Sequence, residues 1–170
     1  MEANKPKSIW QKLFPEPFRQ TLFLRLFTFW KIPLLSYTAP RVLELSDSRC
    51  VIQIPLRRRT KNHLGSMYFA ALAAGADCAG GLIAMNKIRQ SRQPVSLIFK
   101  EFKADFLKRP EGDVNFICED GLVICEAVQK AIASKERVNL PVNIVARVPK
   151  ISETEDVAKF VLMLSLKRQN

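Results

Sequence analysis

Histidine is almost missing from this chain: His63 is the only one in 170 residues. Zinc sites built on several imidazoles, and HExxH metalloprotease motifs, need two or three from one chain, so both are excluded. A Ser-His-Asp or Cys-His pair would have to use His63, and neither a GxSxG elbow nor a family cysteine signature accompanies it. The four cysteines, Cys50, Cys78, Cys118 and Cys125, form no CxxC pair, and the first ten residues lead into no cleavable signal peptide. Free thiols in a reducing cytosol are the expectation. Acidic side chains are scarce too. Sixteen Asp and Glu face twenty-seven Lys and Arg, a formal +11 that favours phosphates, nucleic acid or acidic lipid as partners.

What is present points to a packed domain. With 48% hydrophobic residues, 25% charged and eleven Phe, the chain is too apolar for a disordered basic tail, and its length suits one core. There is no RNP-type aromatic box, helix-turn-helix or zinc knuckle, so nucleic acid is not an expected partner despite the charge. Neither apolar stretch reads as a membrane span. Residues 18–35 carry Arg19, Arg25 and Lys31 and are broken by Pro33, while residues 67–85 hold one charge, Asp77, in a run of Ala and Gly. The second stretch reads as a helix buried inside the protein.

Periodicity orders the elements. Phe18, Leu22, Leu26 and Phe29 recur at helical spacing, widened by Phe23, Phe27 and Trp30 until Pro33, and predict an amphipathic N-terminal helix whose stripe packs on the domain or touches a membrane. A short strand around Val42 to Leu45, a turn at Ser46-Asp47-Ser48 and a strand with Cys50, Ile52, Ile54 and Leu56 on one face follow, with Pro55 arguing for a sheet edge or bulge. Four of the six glycines, Gly65, Gly75, Gly80 and Gly81, fall in the next, alanine-rich segment. It predicts a helix over 65–81, capped by Ser66, that a curved sheet can approach closely. In the long strand after Pro94 the apolar phase slips by one residue near Lys100 and Glu101, which predicts a β-bulge. A second strand, Val114 to Cys118, precedes a helix that Asp120 would cap, with Ile124, Val128, Ala131 and Ile132 inward and Glu126, Lys130 and Lys135 solvated. Val138 to Val148 alternates cleanly, and Phe160 to Leu166 reads as a strand covered on both sides. The sum is an α+β domain with one sheet packed round one helix.

Thr60-Lys61-Asn62-His63-Leu64-Gly65-Ser66-Met67 followed by Ala70 to Gly81, together with Asp105-Phe106-Leu107-Lys108-Arg109-Pro110-Glu111-Gly112-Asp113, resembles the loop, central helix and long-strand end of hotdog-fold acyl-CoA thioesterases, in the uncharacterised branch related to phenylacetate-pathway enzymes. The resemblance covers roughly Val42 to Arg168. It implies a hotdog domain over 41–170, an antiparallel sheet wrapped around the helix, which leaves residues 1–40 as the N-terminal helical extension read from periodicity. It also implies a homodimer or dimer of dimers that closes an open sheet edge, and an acyl-CoA or other acyl-thioester substrate with no metal and no cofactor beyond the substrate's own coenzyme A. In that branch a helical Asp activates water or attacks the thioester carbonyl, and N–H groups at the start of the partner's helix polarise it. By resemblance Asp77 takes the first role and the stretch Gly65, Ser66 and Met67 the second, with Asn62 beside them and Tyr68 and Phe69 among the substrate contacts. Where those enzymes have His-Gly-Gly, this chain has Tyr68-Phe69-Ala70.

The physics agrees without the family, since burial in an apolar helix raises a carboxylate's basicity and a helix N-terminus offers free N–H donors. Other readings stand beside each of these. Asp77 can equally pair with an Arg across a dimer, Asn62 and Gly65 can serve a turn, and the cluster Arg57, Arg58, Arg59 and Lys61 is either a solvated face or a binder of CoA phosphates. The activity expected is hydrolysis of an acyl thioester. The alternative is a non-catalytic acyl-CoA or lipid-binding hotdog protein, with peripheral membrane contact through the N-terminal helix.

Overall fold

The computed structural model describes residues 15–134 and 136–169. Two helices come first, α1 (Glu16–Lys31) and α2 (Pro33–Thr38), then a hairpin of β1 (Arg41–Leu45) and β2 (Cys50–Ile54). The long helix α3 (Phe69–Ser91) leads to β3 (Val95–Phe106), β4 (Val114–Cys118), α4 (Gly121–Ser134), β5 (Val138–Arg147) and β6 (Asp156–Arg168). The strands form one antiparallel sheet in the order β1-β2-β4-β5-β6-β3, so β1 and β3 are its edges.

Period-two alternation gives the sheet an apolar inner face. Cys50, Ile52 and Ile54 of β2, Phe116 of β4, Val142 and Ile144 of β5, and Phe160, Leu162, Leu164 and Leu166 of β6 are all buried there. The face wraps α3, and burying each large side chain is worth about 1.5–3 kcal/mol. Small residues let the helix lie this close. At Gly80 an added Cβ would already stand 3.2 Å from Cδ1 of Ile144. Among the described residues α3 alone is long and apolar enough to cross a membrane, and 56% of its apolar window is buried in the protein, as befits a core helix.

The bulge in β3 lies where the phase slip places it, with the pairing to β6 shifting register between Phe99 and Phe102. The hairpin turn is closed by Ser46, whose N–H donates to the Arg49 carbonyl at 2.8 Å and whose hydroxyl accepts from the Arg49 N–H at 3.0 Å.

Several expectations change. The central helix begins at Phe69 rather than Gly65 and runs on to Ser91, where Arg92 ends it in a left-handed conformation. Residues 82–90 are mostly good helix formers, so nothing stops it earlier. Ser66 does not cap it; Tyr68 occupies the N-cap position in extended conformation, without a side-chain cap. Pro33, expected only to end α1, also starts α2, because its fixed φ and missing N–H suit a first helical position. Pro55 marks no edge, since β2 lies between β1 and β4 and Pro55 follows its last residue. Asp120 turns its carboxylate to β5, accepting from the Asn143 backbone N–H at 2.7 Å and its side-chain amide at 2.9 Å. The outer face of β6 is covered only in part: Val161 is exposed, Met163 half-buried and Ser165 buried. Lys135, expected on the solvated face of α4, lies outside the described residues.

For α1, of the two readings of its aromatic stripe, packing on the domain is not what the structure shows. The packed side of the helix is Leu24 and Thr28, both buried, while Leu22, Leu26, Phe29 and Trp30 are exposed. Thr21 fixes this rotation by accepting the Val42 N–H at 2.8 Å, and Arg25 donates to the carbonyls of Ala39 and Pro40. These polar bonds to the start of β1 outrank the bulk of the aromatic stripe.

Candidate active site

Asp77 sits on the third turn of α3, between buried Ala76 and buried Cys78. Asp77 lines a cavity of about 240 Å³ walled by Gly81 and Met85 of α3 and by Val95 and Leu97 of β3. Leu24 and Thr28 of α1 and Leu35 of α2 form the roof. Among the described residues no ion pair or side-chain hydrogen bond is made by the Asp77 carboxylate, whose oxygens keep some contact with solvent. Burial alone pushes its pKa up to about 6. A group of that basicity is still mostly ionised at neutral pH and takes a proton more readily than an ordinary aspartate.

The thiols do not compete for the role. Burial raises the Cys78 pKa, the Asp77 charge raises it further, and burial likewise raises those of Cys50 and Cys125 and pushes Cys118 up to about 11. All four stay protonated and poorly nucleophilic at neutral pH. Among the described residues no group of three or more His, Cys, Asp or Glu comes together to hold a metal ion.

The loop before α3 is built around Asn62. Its Oδ1 accepts the N–H groups of Leu64 at 2.9 Å and Ser66 at 3.2 Å, its amide donates to Ser66 Oγ at 3.0 Å, and Gly65 takes φ +83°. The Met67 N–H donates to the Pro110 carbonyl at 3.0 Å and the Tyr68 N–H to the Thr60 carbonyl at 2.8 Å. Asn62 and Gly65 therefore shape a turn, while Ser66 and Met67 are buried. The free amides at the helix start belong instead to Phe69 and Ala70. The N–H groups of Ala71 and Leu72 both go to the Tyr68 carbonyl, and those of Phe69 and Ala70 have no backbone acceptor among the described residues. At 1.5 Å per residue they lie about 10–12 Å along the axis from Asp77, too far to share a small substrate group with it inside one subunit.

Arg57, Arg58, Arg59 and Lys61 stand apart from the Asp77 cavity. The turn that carries them is tied by Thr60, whose hydroxyl donates to the Pro55 carbonyl at 2.7 Å and accepts the Arg57 N–H at 2.8 Å. The Arg59 guanidinium lies over the ring of Tyr37, 5.6 Å from its centroid. The structure thus brings Asp77 together with a roof from α1 and α2 that the sequence reading missed. The available signal was Thr21, Leu24 and Thr28 at spacings of three and four.

Residues 19–156 match the model of a family described as a domain of unknown function, DUF4442. The chain belongs to the DUF4442 family. Among solved structures, a protein of unknown function from Chlorobaculum tepidum superposes with a TM-score of 0.76 at 12% identity, covering 90% of this DUF4442 chain and 97% of its own. A candidate thioesterase from Shewanella oneidensis gives 0.72 at 10% identity over 87% and 97% of the two chains. A variant of a thioesterase from Pseudomonas aeruginosa gives 0.62 at 14% identity over 91% and 96%. At these identities the likeness is one of fold, and the fold is the hotdog. No protein of curated function matches this sequence.

Proposed function

We propose that this DUF4442 protein is a thioesterase that hydrolyses an acyl thioester such as an acyl-CoA, with Asp77 as its general base. The observation that carries the reading is the unpaired Asp77 carboxylate, its pKa raised to about 6, in an apolar cavity of a fold shared with structures named thioesterases. The apolar walls suit an acyl tail. Asp77 takes a proton from water as the water oxygen bonds to the thioester carbon. The carbonyl oxygen gains negative charge, which N–H donors stabilise, and the C–S bond then breaks. The proton held by Asp77 leaves on the thiolate, giving a carboxylic acid and a free thiol.

Within one subunit the donors at Phe69 and Ala70 are out of reach, so the reading requires a homodimer in which one subunit's helix start meets the other's Asp77. Two open features suit it. The β3 edge is unpaired in the sheet, and Phe102 and Phe106, exposed beside buried Phe160, leave the end of the inner face uncovered. Free thiols suit a cytosolic setting.

Binding without turnover is favoured by one feature, the bulky Tyr68 and Phe69 at the helix start, with ring centroids 4.7 Å apart. Release of free thiol from acyl-CoA substrates of graded chain length separates the two. Turnover that drops about 10²-fold in Asp77→Asn supports the base; retained acyl-CoA with no thiol release selects the binding protein.

A further inference from the structure

The outward side of the N-terminal helices serves neither the core nor the Asp77 cavity. Leu22, Leu26, Phe29 and Trp30 fall within an arc of about 100° on α1 at 3.6 residues per turn, and Leu34 and Tyr37 continue the apolar surface on α2. These six side chains are 50% to 77% exposed. Such a patch on one side of a helix marks a contact with something apolar.

The flank of the patch is cationic. Arg57, Arg58 and Arg59 line one hollow with Tyr37, the Arg59 guanidinium lying over its ring, and Arg25, which borders the stripe, feels the charges of Arg41, Arg57 and Arg59. None of these arginines forms an ion pair among the described residues. Glu16 is the one acidic residue on α1, and α2 has none. Clustered cations without counter-ions call for an anionic surface.

We propose that this face docks the protein onto a bilayer containing anionic phospholipid, with the stripe from Leu22 to Tyr37 entering the headgroup boundary and Arg25, Arg41, Arg57 and Arg59 meeting lipid phosphates. Charge decides between occupants. In a two-fold dimer through this face the arginine cluster of each copy would border the same surface as its twin, with no acidic residues on α2 to offset it. An anionic bilayer satisfies both halves at once, and Trp30 and Tyr37 are residue types that favour the interface. Because the opposite side of α1 roofs the Asp77 cavity, docking would leave one helix between that cavity and the lipid. The docking itself does not depend on the thioesterase reading.

The test is co-sedimentation of the full chain with vesicles of phosphatidylcholine alone and of phosphatidylcholine mixed with phosphatidylglycerol. Two paired variants probe the halves: Leu26→Ser with Trp30→Ser for the apolar stripe, and Arg57→Glu with Arg59→Glu for the cluster. All four side chains are exposed, and a thermal melt checks that each variant is folded. The expected result is binding to the anionic vesicles that weakens with salt and falls at least tenfold in each folded variant. The proposal is overturned if the wild type does not bind the anionic vesicles, binds both vesicle types equally, or binds as tightly after either pair of substitutions. It is also overturned if light scattering shows that the Leu26 and Trp30 changes break an oligomer, since the face would then be an interface between copies.

Discussion

The ring of Phe116 on β4 fills the space that a side chain on Gly75 of α3 would need: a Cβ there would stand 2.2 Å from Cε2 of the ring. Phe116 is fully buried and also packs 6.3 Å from Phe160, so it has nowhere to retreat. The approach of Phe116 to α3 therefore depends on one missing side chain. Gly75→Ala should destabilise the fold by about 2 kcal/mol, the overpacking cost outweighing the roughly 1 kcal/mol that alanine gains in a helix. Urea unfolding reads this directly; an unchanged midpoint would contradict the packing.

Gly81, less than two turns on, should give the opposite sign. A Cβ there would meet only the ring of Phe99, at 3.6 Å, an ordinary contact. Gly81→Ala should raise stability by about 0.5–1 kcal/mol through helix propensity and a stiffer unfolded chain. Loss of stability would mean that the cavity wall is tighter than its geometry implies.

Much of this was legible in the sequence, and for identifiable reasons. Alternation in β5 and the phase slip in β3 are local signals with one structural solution each, and Ala and Gly clustering in α3 is a direct record of close packing. The rotation of α1 was hidden because it depends on Thr21 bonding the backbone of Val42 and on Arg25 reaching Ala39 and Pro40, contacts that no helical period encodes. The start of α3 was misplaced for a related reason: Ser66 has the right chemistry for a cap, but Asn62 engages it first. Asp77 stood out as the lone charge in an apolar run. Its roof did not, because Leu24 and Thr28 are less bulky than the aromatics on the exposed side.

The dimer required by the proposed chemistry can be tested apart from catalysis. Light scattering should give twice 19.4 kDa or more. Phe102→Lys, on the exposed end of the inner face beside the β3 edge, should shift the protein toward monomer with a cooperative melt retained. A wild-type monomer at micromolar concentration would remove the shared site.

The state of Asp77 also appears in stability as a function of pH. The carboxyl has a pKa of about 6 when folded, against 3.8 as its ordinary value. Well above pH 6 it is ionised in both states, and the folded state bears the cost of holding an unpaired charge in an apolar cavity. As pH falls from about 6 to 4 the folded protein takes up the proton first, so that cost is relieved; below the ordinary value both states are protonated and it is gone. Two pKa units correspond to about 2–3 kcal/mol. Asp77→Asn removes the charge at nearly constant volume, so at pH 8 the variant should be more stable than the wild type by about 2 kcal/mol, and the difference should shrink toward zero near pH 4. Comparing the two proteins cancels every other titrating group. Denaturant unfolding of both at pH 8, 6 and 4.5 provides the measurement. If Asp77 were instead ion-paired with an arginine across a subunit interface, the substitution would leave that arginine without its partner, and the variant would be the less stable of the two at pH 8. The sign at pH 8 therefore separates a carboxylate kept unpaired, as a general base requires, from one that holds subunits together.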